Sequence, residues 1–204
     1  MDRQKELDKL RVESSTCVKC DLSLTRHNVV FGAGDICAPL MIIGEAPGQD
    51  EDLSGEPFIG RSGKLLRQLI EEEIHLTANQ LFITSVNKCR PPKNRDPKPF
   101  EIEACSPWLL RQIELVRPVV IVSVGNFSSR LLLKTKERIT NLRGNSYTYE
   151  TPSGFSTRLM PTFHPAAALQ GGGPKVIAAM REDFARVHAV LDKAGVAFMD
   201  TGTS

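Results

Sequence analysis

The sequence predicts an α/β fold built on a mainly parallel sheet. Short apolar runs alternate along the chain with longer segments in which apolar residues recur at helical spacing, an alternation typical of parallel strands covered by helices. The chain has 204 residues, of which 41% are hydrophobic and 25% are charged. This length suits one domain, and this composition excludes a mainly disordered protein. We therefore expect a single domain over residues 1–204.

The first half of the chain contains two predicted helices and two predicted strands. Residues 2–16 are charged with interspersed leucine and valine, which indicates a short amphipathic helix. The apolar run 40–43 ends at Gly44 and predicts a strand that leads into a loop. Residues 63–74 carry leucine and isoleucine at helical spacing and predict a second helix, and residues 81–86 predict a second strand.

The second half continues the alternation. Residues 100–116 predict a helix interrupted by Pro107, because proline lacks the N–H that a helix interior requires. The apolar run 119–124 predicts a buried strand, and residues 126–134 predict the helix after it. Residues 147–160 indicate a short β section.

The last predicted helix covers residues 174–194 and has a proline in its first turn, where proline is well tolerated. In parallel sheets of this kind the ligand site lies beyond the carboxyl ends of the strands. Four connections meet this criterion: residues 44–63, residues 85–99, the turn after Val124 and residues 162–173.

Neither secretion nor membrane insertion is predicted. The first ten residues are charged and lack the apolar core of a signal peptide. The longest nearly continuous apolar stretch, residues 119–124, is far too short to span a bilayer. We therefore expect a cytoplasmic protein with no membrane partner. The net charge of +2 excludes a histone-like polycation but leaves room for a local basic patch that binds nucleic acid.

The cysteines give the first indication of chemistry. The chain contains Cys17, Cys20, Cys37, Cys89 and Cys105. An odd number without a predicted signal peptide argues against a disulfide framework. Cys17 and Cys20 form a C-x-x-C pair in polar surroundings that do not suit core thiols. Spacing alone leaves structural zinc and a [4Fe–4S] cluster both open, whereas a redox pair is disfavoured because no strand leads into it.

The loop over residues 44–63 is rich in glycine and in acidic residues. It lacks the G-K-[ST] ending of a P-loop and the G-x-G-x-x-G pattern, so a nucleotide-phosphate site is disfavoured. Phe58 lies in surroundings too rich in glycine for a core residue, which predicts an aromatic face offered to a planar ligand. A solvated acidic loop is the alternative interpretation of this segment.

Basic residues are concentrated in two stretches although the total charge is small. Residues 88–98 and residues 130–143 each contain five lysines or arginines against a single acid. Phosphate contacts are the natural use of such patches, and ordinary surface charge is the alternative. His164 follows a predicted strand at the expected ligand edge, which makes it a candidate functional residue.

Together these segments resemble one family. The motifs GEAPG-x-x-ED, PFIGRSG, KCRPP-x-NR and TFHP, with cysteines at 17, 20, 89 and 105, resemble the iron–sulfur family 4 uracil-DNA glycosylases. The resemblance extends from about Cys17 to Pro165. It implies a three-layer α/β/α fold with a central, mainly parallel four-stranded sheet. It also implies that Cys17, Cys20, Cys89 and Cys105 hold a [4Fe–4S] cluster that ties the N-terminal segment to the domain, with Cys37 a free thiol.

The resemblance further implies roles at the base. Such enzymes flip a deoxyuridine out of DNA and hydrolyse its N-glycosidic bond. His164 would donate a hydrogen bond to O2 of the departing uracil, and Phe58 would stack on the ring. Glu45, Ala46 and Pro47 would pass beneath the base and sugar.

Two positions leave the assignment of roles open. Ala46 stands where other uracil glycosylase families carry a water-handling Asp or Asn, so Glu45 and Glu51 are the candidates for that task. Ser85 stands where this family usually carries an asparagine that reads the uracil edge. Asn87 is the alternative reader if the strand period places it on the same side.

For DNA contacts, the candidates are Lys93, Arg95, Arg138 and Arg143 at phosphates, with Leu169 as the wedge that fills the space of the flipped base. The implied activity is that of a monomeric, monofunctional glycosylase acting on uracil in single- or double-stranded DNA and leaving an abasic site. The alternative is an iron–sulfur uracil-DNA-binding relative whose base specificity or activity is altered at Ser85. Covalent trapping is disfavoured, because CRPPKNRDP is short and contains no histidine.

Overall fold

Six strands form one sheet, and its four central strands are parallel. The computed structural model describes residues 2–199. The strands are β1 Ala33–Gly34, β2 Leu40–Gly44, β3 Leu81–Ser85, β4 Val120–Val124, β5 Tyr147–Glu150 and β6 Ser156–Thr162, in the spatial order β1-β3-β2-β4-β6-β5. The outer strands β1 and β5 pair antiparallel with β3 and β6. The predicted four parallel strands are confirmed as the centre of the sheet, and two short antiparallel strands extend it to six.

Helices connect and cover the strands. They are α1 Arg3–Ser15, α2 Gln49–Ser54, α3 Arg61–Ile74, α4 Pro99–Val116, α5 Asn126–Leu133, α6 Ile139–Leu142, α7 Pro165–Ala167 and α8 Gly173–Lys193. The five helices predicted from periodicity are present, with ends within two residues of those expected. Among residues 2–199, every helix is too short or too polar to span a lipid bilayer.

Apolar side chains form a separate core on each face of the sheet. Along β2, Leu40 and Ile42 belong to a core shared with α3 and α8, whereas Met41 and Ile43 belong to a core shared with α1 and α4. This division follows from the two-residue period of a strand. Both faces are covered, so β2 and β4 are buried at every position and are nearly continuous apolar runs. The result is the three-layer α/β/α arrangement that the resemblance implies.

The predicted interruption of the third helix at Pro107 is wrong, because α4 continues through this residue. Proline provides no N–H for the carbonyl of Glu103, four residues earlier. The Ser106 hydroxyl donates to that carbonyl instead, at 3.0 Å. A side chain next to the proline therefore replaces the lost backbone hydrogen bond.

The acidic loop contains a short helix, α2, that the sequence did not predict. The Glu51 carboxylate accepts the N–H of Gly48 at the start of this helix, at 3.1 Å, and acidic side chains in a first turn are favoured by the helix dipole. Asp52 is buried and accepts the backbone N–H of His27 at 2.9 Å. These two acids are therefore structural, and the interpretation of a wholly solvated loop is wrong for them.

Candidate active site

A cavity of about 430 Å³ opens where the central parallel strands end. Its lining includes Glu45 directly after β2, Ser85 at the end of β3 and His164 shortly after β6. Phe58 reaches the same cavity from the connection between α2 and α3. These side chains come from separate segments of the chain and converge because parallel strands end at one edge of a sheet.

His164 presents a neutral ring to this cavity. Its Nδ1 accepts the backbone N–H of Ala166 at 3.2 Å, and a backbone N–H can only donate, so the ring proton lies on Nε2. Burial lowers the pKa of His164 to about 4, although the nearby Glu51 acts in the opposite direction. At neutral pH the ring is therefore uncharged, and Nε2–H is its available hydrogen-bond donor.

Phe58 is both a core residue and a wall of the cavity. Its side chain is 7% exposed and belongs to the core beside α3 and α8, so the prediction that it lies outside the core is wrong. Glycines make this burial possible: a Cβ on Gly44 would stand 2.5 Å from the ring, and one on Gly63 would stand 2.1 Å from the Phe58 backbone. The ring centroid lies 6.2 Å from that of His164.

Glu45 is a half-buried carboxyl group that lines the cavity. Burial raises its pKa to about 7, and the nearby charge of Asp96 acts in the same direction. Asp96 also lines the cavity, as do Ala46 and Pro47. A carboxyl group that titrates near neutral pH is suited to general-base chemistry.

Glu51 has a different environment although it lines the same cavity. Besides Gly48, its carboxylate accepts the N–H groups of Ile59 at 3.0 Å and Gly60 at 2.8 Å. Three backbone donors thus hold the carboxylate against the turn that carries Phe58. This geometry favours a role for Glu51 in shaping the loop around Phe58. It does not support the prediction that Glu51 positions the attacking water.

Ser85 and Asn87 are separated by the structure. Ser85 lines the cavity, whereas the Asn87 side chain is fully buried and its Nδ2 donates to the carbonyl of Glu101 in α4 at 3.1 Å. The strand β3 ends at Ser85, so the two-residue period does not extend to position 87. Ser85 is thus the residue of this pair that lines the cavity, whereas Asn87 contacts α4.

Two of the four residues predicted to contact phosphate form ion pairs within the fold. Both terminal nitrogens of Arg95 donate to the Glu101 carboxylate, at 2.9 and 2.6 Å. Arg143 holds Asp183 through two bonds of 3.0 and 2.9 Å. Glu101 and Asp183 are 1% and 3% exposed, and buried carboxylates need such partners. These guanidinium groups are therefore engaged within the fold.

The other predicted DNA contacts remain on the surface. Lys93 and Arg138 are exposed, and among residues 2–199 neither forms an ion pair. Leu169 is 44% exposed in the wide turn that follows α7. Leu169 directly precedes Gln170, which lines the cavity.

Four of the five cysteines converge at a second site beside β3 and α4. Burial raises the pKa values of Cys20, Cys89 and Cys105, and neighbouring cysteines act in the same direction. Cys17 affects both Cys20 and Cys105, and Cys20 affects Cys89. The four thiols are therefore within electrostatic range of one another. Cys37 is exposed and contacts Arg3 instead.

The spacing of these thiols bears on the kind of metal group they can hold. Among residues 2–199, no three His, Cys, Asp or Glu side chains approach closely enough to ligate one metal ion. A [4Fe–4S] cluster binds each thiolate at a different iron, so its ligands are spread around the cluster. Four thiols are the donor set of a [4Fe–4S] cluster and also of a four-cysteine zinc site.

Two cations beside the thiols were missed by the sequence reasoning. Arg26 donates to the Cys17 carbonyl at 2.7 Å and to Cys89 Sγ at 3.4 Å. Lys88 was counted with the basic surface, but its side chain is 1% exposed. Its position directly before a cysteine was the one signal in the sequence for a different role.

The comparisons with known proteins agree with this geometry. Residues 31–185 match the family model described as the uracil DNA glycosylase superfamily. The chain is 45% identical to the type-4 uracil-DNA glycosylase of Saccharolobus solfataricus, over 91% of this chain and 86% of that protein. It is 43% identical to the one from Sulfurisphaera tokodaii, over 89% and 83% of the two chains. It is 39% identical to the one from Archaeoglobus fulgidus, over 92% and 94%.

Proposed function

The chain belongs to the uracil DNA glycosylase superfamily, and from this membership we propose that it is a type-4 uracil-DNA glycosylase acting in DNA repair. It hydrolyses the N-glycosidic bond of uracil in DNA and leaves an abasic site. The observation that carries this conclusion is the neutral His164 ring, which lines a cavity together with Phe58 and Glu45 and has Nε2–H as its available donor.

Uracil leaves as an anion, and His164 is suited to stabilise it. Negative charge develops on O2 only as the glycosidic bond breaks, so a fixed donor at that position stabilises the transition state more than the ground state. A neutral imidazole provides such a donor and keeps its proton. The turn at Ala166 holds the ring in this tautomer through its backbone N–H.

The other cavity residues orient the base and the attacking water. Phe58 offers a ring face to the flipped uracil, and Ser85 offers a hydroxyl that both donates and accepts at the base edge. Ala46 and Pro47 provide apolar surface beneath the nucleotide. Glu45, once ionised, accepts a hydrogen bond from the water that attacks C1′. Among residues 2–199, no lysine lines the cavity, which supports hydrolysis without lyase chemistry.

A [4Fe–4S] cluster would be held by the thiolates of Cys17, Cys20, Cys89 and Cys105. It would cross-link the N-terminal segment to α4, and it would supply no electrons, because hydrolysis requires none. Arg26 and Lys88 would compensate the negative charge of the thiolates. For DNA, Lys93 and Arg138 supply phosphate contacts and Leu169 the wedge. The alternative of a non-catalytic uracil-DNA-binding relative gains no support from the similar proteins, whose names are those of glycosylases.

The activity is tested with oligonucleotides that carry one uracil, in single-stranded and duplex form. We expect alkali-sensitive strand breaks at the uracil, no breaks before alkali, and no protein–DNA crosslink. The matched control carries thymine in place of uracil. An unbroken uracil strand would disprove the glycosylase, and a crosslinked band would indicate trapping.

A further inference from the structure

Lys88 is a fully buried lysine located between the cavity and the cysteines. It follows Ser85 by three residues and directly precedes Cys89. Its side chain turns back into the core, where Nζ donates to Thr84 Oγ1 at 2.5 Å, the Ser85 carbonyl at 2.7 Å and Gln112 Oε1 at 2.6 Å.

These contacts indicate that the group is an ammonium. An ammonium has three N–H donors and no acceptor, and three acceptors surround Nζ. The Thr84 hydroxyl uses its own proton at the Phe31 carbonyl, 2.9 Å away, so its oxygen is free to accept from Lys88. Every donor of the lysine is therefore used inside the protein.

The charge of this ammonium has no carboxylate partner. Among residues 2–199, no Asp or Glu lies within ion-pair distance of Nζ, and an uncompensated buried charge is costly. Two cysteines are the neighbouring groups: the Lys88 backbone N–H donates to Cys105 Sγ at 3.2 Å, and Cys89 is the next residue. Both would be thiolates when they hold iron.

The same segment is joined to the cavity through its backbone. The Asn87 N–H donates to the Glu45 carbonyl at 2.9 Å, and the Lys88 carbonyl accepts the N–H of Val30 at 2.7 Å. Val30, Glu45 and Ser85 all line the cavity. A shift of Lys88 would therefore move the residues that surround the base.

We propose that Lys88 is a positioning residue that couples the cysteine site to the base cavity. Its three side-chain hydrogen bonds hold the end of β3, and with it Ser85, while its backbone N–H contacts Cys105. This inference rests on the proposed glycosylase and on the proposed cluster. It adds that an intact cysteine site keeps the cavity in its active geometry through one buried lysine.

The test uses Lys88→Met, which keeps the length of the side chain and removes its charge and hydrogen bonds. Lys193→Met, at the exposed end of α8, is the matched control. We measure iron per chain, the visible circular dichroism of the cluster, the rate of bleaching by a chelator, and kcat and KM for a uracil oligonucleotide, with kcat expressed per iron-loaded chain.

In Lys88→Met we expect faster bleaching and an altered visible dichroism. We also expect kcat to fall by about tenfold or more, because the loss of one hydrogen bond to a charged group changes a rate by about this factor. KM should change little, because phosphate contacts lie elsewhere. Thr84→Val, which removes one acceptor and leaves the charge, should show the same changes at about threefold. It tests the proposal even if Lys88→Met does not fold.

Several outcomes would overturn the coupling. One is wild-type cluster properties and wild-type kcat in both variants. Another is a change in the cluster without a change in kcat per iron-loaded chain, and a third is a change in kcat without a change in the cluster. Wild-type protein that excises uracil but holds no iron would also overturn it and would leave the glycosylase standing. Wild-type protein that holds iron but excises nothing would disprove the glycosylase and, with it, the coupling.

Discussion

At the scale of single residues, His164 carries the strongest mechanistic expectation. Removing its Nε2–H should slow the chemical step on the order of a hundredfold or more, because the donor acts where charge develops. Binding of uracil-containing DNA should change little. Single-turnover excision and equilibrium binding by His164→Ala measure the two effects. His188→Ala, in α8 and outside the cavity, serves as the control, and a wild-type excision rate in His164→Ala would contradict the assignment.

Glu45 should give the reaction its pH dependence. A carboxyl group with a pKa near 7 is protonated below that pH and ionised above it, so excision should rise through about pH 7 if the carboxylate activates water. His164 has a pKa near 4 and stays neutral over this range. The other charged groups lining the cavity are Glu51, Arg95 and Asp96.

Asp96→Asn provides the matched test of this pH dependence. Removing the neighbouring negative charge should lower the midpoint of the rise, because Asp96 favours the protonated form of Glu45. Glu45→Gln should abolish the rise and leave a slow, flat profile. A wild-type profile that is flat between about pH 6 and 8 would rule out Glu45 as the base.

At the scale of elements, α2 and the turn behind it hold Phe58 in the cavity. Glu51→Ala removes the acceptor of three backbone donors, so the turn should loosen and excision should fall by about tenfold or more. The pH midpoint of the remaining activity should stay at its wild-type value, because Glu45 is untouched. A shifted or lost pH dependence in Glu51→Ala would instead indicate a direct catalytic role.

The elements also show what the sequence could predict. The strands β2 and β4 were recognisable because burial on both faces removes polar residues from them. The ion pair between Arg143 and Asp183 could not be predicted, because the two residues are 40 positions apart along the chain. The ligand edge followed from the order of strands and helices, whereas the burial of Lys88 depends on Thr84 and Gln112, which only the folded chain brings together.

At the scale of the whole molecule, charge should determine how DNA is held. Lys93→Ala and Arg138→Ala should each reduce the slope of log affinity against log salt by about one. Arg143→Ala should leave the slope unchanged and lower the thermal stability, because it leaves Asp183 buried without its partner. Duplex binding measured across salt concentrations tests this division. An unchanged slope in both surface variants would place the phosphates elsewhere.

The cysteine site should determine whether the N-terminal segment stays attached to the rest of the molecule. Cys17 and Cys20 follow α1, Cys89 follows β3, and Cys105 lies within α4, so a shared cluster would bind three distant segments at one point. A ligand that binds only the folded chain stabilises it. Cys89→Ala should therefore lose iron and unfold at a lower temperature, whereas Cys37→Ala should keep both properties. Iron analysis and thermal unfolding followed by circular dichroism provide the measurements.

Wild-type protein that contains one zinc ion and no iron would contradict the cluster. A Cys89→Ala variant with wild-type iron content and melting temperature would show that the Cys89 thiol is not a ligand.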